Sequence, residues 1–466
     1  MIATKKSVAT NSINIKRCCI AALSVAERLD YSMPRVLTIT LLTMQSAPTL
    51  RRWIGPLPGV REARAISWMA LAAAAVLCAL SLLYGFRGET FMGRPLGGDF
   101  VAFYVTGKIL NEYEPARIYD LDLEVRLQHT AVVGVSQTEM LPFAHAPYIG
   151  QVFRPFALLP YKWAYVAWLV FSLTLYSAGL ALLLGAAELP GGQRMTGFLL
   201  GLGSMAFLLE TWIGGQLSVI GFFLVSLFVY CRSRHRQFLA GMVLALAMYK
   251  LTLVAIPIAM MLCGRRWRML SGAAAGGVAL LFASVATVGV SGCLAWFDTL
   301  RFFRDLATGP LAALHRNKYV DVGSFLHLLL GDASLAARVL AGLLSFAALG
   351  FLALAWWQST GWSAASRDLI WAATFAGALV FNVYTPIYDT IVAGAAVAMV
   401  ARVMRTRNGK DAEVFGVWLL LLYIVPWLTQ SFAEFLRFQP ITLVLAGFAY
   451  WSLSLAKREE AAISRL

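Results

Sequence analysis

Charge is what this chain has least of. Only 14% of its 466 residues are Asp, Glu, Lys or Arg, 59% are hydrophobic, and mean hydropathy is +0.70. A soluble domain carries about a quarter of its residues charged, so that class is excluded. Cysteine is scarce as well. Cys18, Cys19, Cys78, Cys231, Cys263 and Cys293 form no CxxC pair and no metal-ligand spacing with histidine. Only Cys293 is expected near the outer face, so no disulfide is expected. The five histidines make no HExxH pattern, and nothing argues for a metal or another cofactor. No internal repeat supports the inverted-repeat architecture of many transporters. No convincing signal-peptide cleavage pattern stands at the N-terminus.

What the chain does have is apolar runs long enough to cross a bilayer, recurring from Ile66 to the C-terminus. The expected fold is an all-α polytopic membrane protein of about twelve transmembrane or re-entrant helices, by the roughly 20-residue length of a span. The net charge of +15 does not point to nucleic acid. The basic residues stand at the ends of apolar runs, as on the cytoplasmic face of a membrane protein. Residues 1–65 are basic and read as a poorly ordered cytoplasmic tail; the run Val36–Met44 is too short to span, and a start codon placed too far upstream gives the same pattern. Residues 66–460 read as the transmembrane domain, with long outer loops at about 87–161 and 291–334.

Expected spans are Ile66–Phe86, Trp163–Leu184, Phe198–Ile213, Leu217–Cys231, Met269–Val290, Leu335–Trp357, Leu369–Asn382, Thr390–Val403, Val414–Leu428 and Ile441–Ala456. Phe238–Cys263 is different. It follows Arg232, Arg234 and Arg236 and ends at Arg265-Arg266-Trp267-Arg268, so both ends belong on one side. Its length of about 26 residues is too short for two spans of roughly 20. A re-entrant hairpin with Lys250 near the tip fits, because irregular backbone at that depth must line a cavity or be buried in protein.

Charged side chains inside spans are costly and usually mark a functional cavity. Asp99 stands in Gly97-Gly98-Asp99-Phe100, just beyond the first span. It reads either as a base for an incoming hydroxyl group or as a cap on the following helix. Arg154, Glu210, Gln216, Lys250 and Tyr388-Asp389 are expected to approach the same outer face. The plainer alternatives are a snorkelling Lys250, a headgroup anchor at Arg154, a charge partner for Glu210, and a helix cap at Asp389. Asp120-Leu121-Asp122 has the form of a DxD metal motif, and helix capping is the favoured reading.

In order, these motifs resemble glycosyltransferase family 87. Gly97-Gly98-Asp99-Phe100 with Tyr104, Gly107 and Tyr119-Asp120 is similar to its opening "GGDF…Y…G…YD". The stretch Ala146-Pro147-Tyr148 through Phe153, Pro155, Leu159-Pro160 and Trp168 is similar to its "YPP…P…LP…W". Gly215-Gln216-Leu217-Ser218 resembles its "GQ" turn, and Ala240-Gly241 through Tyr249-Lys250 its "AG…K" hairpin. The likeness runs from about Gly97 to Arg268 and weakens beyond. The second proline of "YPP" is missing, and the late turn Thr385-Pro386-Ile387-Tyr388-Asp389 lacks the histidine of the family's mannosyltransferases.

The resemblance implies a GT-C fold in a bacterial cytoplasmic membrane, with the active site facing the periplasm. The implied partners are a polyprenyl-phosphate sugar donor, a lipid or glycan acceptor, and membrane lipids. Asp99 is then the catalytic base. Lys250, Arg154 and Gln216 bind the donor and its phosphate, Tyr104, Glu210, Tyr388 and Asp389 line the site, and no metal is needed. A transporter or lipid flippase is the main rival, and a non-catalytic partner in polysaccharide assembly is the second.

Overall fold

The computed structural model describes residues 59–91, 94–132, 141–308, 316–407 and 409–465. Most of the expected tail, with Cys18, Cys19 and the Val36–Met44 run, lies outside the described residues, as does His315. Among the described residues there are helices and no strands, apart from the isolated bridges Phe91–Arg94 and Tyr319–Pro386.

The helices follow the apolar runs. They are α1 (Val60–Arg87), α2 (Phe100–Glu112), α3 (Leu121–Ala131), α4 (Tyr161–Ala187), α5 (Gly191–Leu202), α6 (Ser218–Ser233), α7 (Gln237–Leu246), α8 (Leu251–Cys263) and α9 (Trp267–Thr308). Then come α10 (Val322–Leu330), α11 (Leu335–Gln358), α12 (Ala364–Val380), α13 (Ala393–Met404), α14 (Lys410–Leu436) and α15 (Pro440–Ile463). Among the described residues, seven helical segments are long and apolar enough to cross a membrane, or eight if one bent pair counts as a span. The chain is a multi-pass membrane protein.

Three expectations are corrected by local physics. The single span expected at Phe198–Ile213 is broken by 50° between α5 and a π-helical segment, Ala206–Ile213. Gly203 and Ser204 interrupt it, and the hydroxyl of Thr211 donates to Ala206 O at 2.8 Å, stabilising the wider turn. The stretch after α1, expected as a long polar loop, is largely helical among the described residues. It folds into α2, α3 and short 3-10 turns, and α2 buries most of its side chains. Finally, the outer loop expected from Ser291 begins as helix. Gly289, at φ +69, breaks α9 where the span was expected to end, and the helix then resumes to Thr308.

The segment around Lys250 does turn back. A Cβ on Gly272 would stand 2.0 Å from Phe238 O, and one on Gly276 would stand 2.7 Å from Ala245 Cβ. Helix α7 and the first half of α9 therefore run side by side in the same direction. Helix α8 must return between them: Thr252 O at its start accepts from Asn382 Nδ2 at 2.6 Å, and Gly264 past its end lies against Trp356. The 10 residues of α7 reach only about 15 Å, half the hydrocarbon thickness. The base of the hairpin joins an arginine-rich end that includes Arg232, Arg266, Arg402 and Arg405. Its tip points to the opposite end, where α2, α3 and the 3-10 turns gather.

Candidate active site

Two turns far apart in sequence cross at that opposite end. Gly97, Gly98 and Gly215 have φ of +82°, +52° and +69°, a region that side chains disfavour. A Cβ on Gly98 would meet Gly214 O at 2.7 Å, and one on Gly215 would meet Gly97 O at 2.3 Å. Only glycine lets these backbones touch. Asp99 N donates to Gly214 O at 3.2 Å, and Gln216 Nε2 donates to Asp99 Oδ2 at 2.5 Å. From α4, Tyr161 donates to Leu96 O at 2.6 Å and Tyr165 to Ile213 O at 2.8 Å, holding the flanks of both turns.

Asp99 precedes α2 but makes no side-chain cap to it. Its carboxylate is bonded to a neutral amide instead. The residue is half-buried: it sits deep among its neighbours yet keeps a route to solvent. Burial pushes its carboxyl above the usual aspartate range, and the Gln216 bond and the charges of Lys318, Lys250 and Arg94 partly oppose that.

A second pair forms at the hairpin tip. Lys250 is the extended residue between α7 and α8, and its Nζ lies 2.5 Å from Asp389 Oδ2. The two side chains are 12% and 1% exposed, so this is a buried ion pair. The ammonium also lies 4.7 Å from the centre of the Tyr388 ring. Asp389 Oδ1 accepts from Ser218 Oγ at 2.6 Å. One short segment thus reaches both aspartates: Gln216 bonds Asp99, and Ser218 bonds Asp389. The Tyr249 hydroxyl fastens the tip to that segment through Leu217 O at 3.1 Å. His145 packs on Tyr249, with Nδ1 3.4 Å from its carbonyl oxygen. Burial, and then the nearby Lys250 charge, pull the His145 pKa down to about 3, so it is neutral at pH 7.

The structure therefore brings Asp99, Gln216, Lys250, Tyr388 and Asp389 together. Arg154 lies elsewhere. It is exposed and bonded to Asn111 Oδ1 at 2.9 Å and Gln151 Oε1 at 3.3 Å. Glu210 accepts from Gln430 Nε2 at 2.9 Å on α14, an amide rather than a basic partner. Tyr104 is buried, and its hydroxyl donates to Leu159 O at 3.0 Å. In the DxD, Asp120 caps α3 through Leu123 N at 3.1 Å and pairs with Arg117 at 2.6 Å, while Asp122 is exposed. Among the described residues, no group of three His, Cys, Asp or Glu side chains converges as a metal site.

Sequence reasoning named Ser218 and Tyr249 only as motif positions, gave them no role in the site, and did not name His145. The signal was present for Ser218, two residues beyond the Gln216 turn. The other two are found only through the fold.

Buried charges, glycine turns and a hairpin tip gather at one end of a helical membrane protein and form a candidate site. The family model of glycosyltransferase family 87 matches residues 143–386, more than half of the chain, and the chain belongs to that family. No curated protein and no solved structure matches it. The matched region holds Gln216 and Lys250 and runs well beyond Arg268, where the likeness was expected to fade. It starts after Asp99 and ends before Asp389, so those two join the site through the fold. The protein is a membrane glycosyltransferase, and such an enzyme has a donor and an acceptor.

Proposed function

We propose that the donor is a polyprenyl-phosphate sugar and that the acceptor is a lipid or glycan hydroxyl on the outer face. Counting both hairpin arms, the bent α5 pair and the shorter α6 and α12, twelve segments enter the membrane. The crowding of arginines at the far end favours a cytoplasmic position for that end and an outward-facing site.

The pairing of Asp99 with Gln216, and not with a cation, supports this reading most. Asp99 Oδ1 accepts no hydrogen bond from the described residues, so it is available to a hydroxyl group. Asp389 has both oxygens engaged, by Lys250 and Ser218. Asp99 removes the acceptor proton as the oxygen attacks the anomeric carbon from the face opposite the leaving group, with inversion. The bond from that carbon to the phosphate oxygen breaks, and its electron pair leaves with the phosphate. Lys250, held by Asp389, supplies positive charge beside it. Gln216 is better placed to orient Asp99 than to bind the donor.

The test is direct. Purified protein is incubated with a panel of polyprenyl-phosphate sugars and a membrane lipid extract, and products are sought by mass spectrometry. A new glycosylated product with one donor, and none with the free sugar, is the expected result. Movement of a lipid or solute across proteoliposomes without transfer from any donor would replace this reading with the transporter one.

A further inference from the structure

The second loop reaches the same site from another direction. Residues 316–320 are pinned rather than draped. Tyr319 bridges Pro386, Val320 N donates to Thr385 O at 2.8 Å, and Thr442 Oγ1 donates to Val320 O at 2.9 Å. Gln439 Nε2 donates to both Asn317 O and Tyr319 O at 3.0 Å. The buried Asp321 caps α10 through Ser324 N at 2.8 Å and accepts from Thr385 N at 3.4 Å. The Tyr319 ring packs on Tyr384 with centroids 4.7 Å apart, four residues before Tyr388, which lies under Lys250.

Lys318 sits in the middle of this pinned segment. It is exposed and has no salt-bridge partner among the described residues. Its charge acts on Asp99, as do those of Lys250 and Arg94. Lys250, in contrast, already faces a buried carboxylate 2.5 Å away. The tip therefore carries a paired cation, and Lys318 one with no salt bridge to the described residues.

We propose that Lys318 is a second phosphate-binding residue of this site, taking up the charge that develops on the leaving phosphate. The inference rests on the donor reading above. A phosphate diester carries one negative charge. When the bond to the sugar breaks, the electron pair passes to the phosphate oxygen and gives a monoester of higher charge, while the acceptor proton goes to Asp99. Lys250, already compensated by Asp389, cannot balance that increment alone. An exposed ammonium whose charge reaches Asp99 acts more strongly on the charge-rich transition state and product than on the donor.

The test uses the full chain in detergent with Lys318→Ala and Lys318→Arg. Binding of a short-chain polyprenyl monophosphate is measured by calorimetry, with the uncharged polyprenol as control. Lys318→Ala should weaken monophosphate binding about tenfold, a modest loss because Lys318 is exposed and its charge is screened by solvent. Lys318→Arg should restore most of it, and polyprenol binding should not change. The loss should shrink at high salt. Equal monophosphate affinity in wild type and Lys318→Ala, or no saturable binding by the wild type, overturns the proposal. If the charge-dependent binding is found but no donor in the panel is turned over, the transfer reading fails while the phosphate site stands. If transfer occurs and Lys318→Ala is as fast and binds as tightly as wild type, Lys318 alone is rejected.

Discussion

The arginine-rich end and the Asp99 turn treat their carboxylates in opposite ways. At the arginine-rich end, Asp368 is buried between Arg232 and Arg402, and Glu188 bridges Arg402 and Arg405. Glu459 is paired with Arg407. At the other end, Asp99 faces a neutral amide, and its carboxyl is pushed up by burial. A carboxylate matched by guanidinium groups has its charge compensated and its lone pairs filled, which suits it to fastening helices. One left beside an amide keeps a lone pair and its affinity for a proton. The same kind of side chain is a clamp in one place and is left open to a proton in the other, and the difference lies in what is put next to it.

The sharpest way to break that comparison is Asp99→Asn. Asparagine keeps the shape and can still accept the Gln216 bond, but it cannot take a proton. Transfer should fall by about 10²–10⁴-fold, with thermal stability in detergent and donor binding close to wild type. The raised pKa fixes the pH dependence. The base works deprotonated, so the acid limb of the wild-type rate profile should lie above the ordinary aspartate value of about 3.9. Rates within a factor of two of wild type in Asp99→Asn would move the base elsewhere.

The matched end should respond in the opposite sense. Asp368→Asn leaves Arg232, only 10% exposed, facing an amide that cannot neutralise it. Breaking a buried ion pair on one side costs about 3–5 kcal/mol. Thermal unfolding should come markedly earlier, while activity per folded molecule is retained. Loss of turnover without loss of stability would mean that the arginine end takes part in chemistry and that the contrast between the ends is false.

Hydropathy and basic flanks made much of this architecture legible. They located α1, α4, α11, α14 and α15, and they placed both ends of the Phe238–Cys263 segment together with Lys250 at its tip. Such signals act along one helix at a time. The crossing of the Gly97-Gly98 and Gly214-Gly215 turns joins residues more than a hundred positions apart, and no periodicity records it. The only hint was that both Asp99 and Gln216 follow a glycine pair. The Lys250–Asp389 pair was equally hidden, since each residue has a reasonable local role when read alone. The break before the π-helical segment depends on Gly203 and the Thr211 hydroxyl, a short-range competition that a hydropathy window averages away. Arg154 stayed open in the sequence because a cation beside aromatic and proline residues suits either a site or a surface, and its bond to Asn111 depends on a residue 43 positions away.

The smallest expected effect comes from the exposed edge of the same arginine network. Glu188, past the end of α4, is about half exposed and reaches Arg402 and Arg405, which are part-exposed themselves. Arg405 holds its carboxyl below the usual glutamate range, and burial opposes this. A depressed folded-state value stabilises the fold above the unfolded pKa of about 4.3, and that contribution is lost as pH falls through the folded value. Solvent screening limits it to about 0–1 kcal/mol. Glu188→Gln should therefore shift the unfolding temperature slightly at pH 7, and the shift should shrink as pH falls below the unfolded value and the wild-type carboxylate becomes protonated. Raising the salt concentration should shrink the pH 7 difference. A large, salt-insensitive loss would place Glu188 with Asp368 among the buried clamps, and the boundary between compensated core and screened surface would then lie further out than the side-chain exposures suggest.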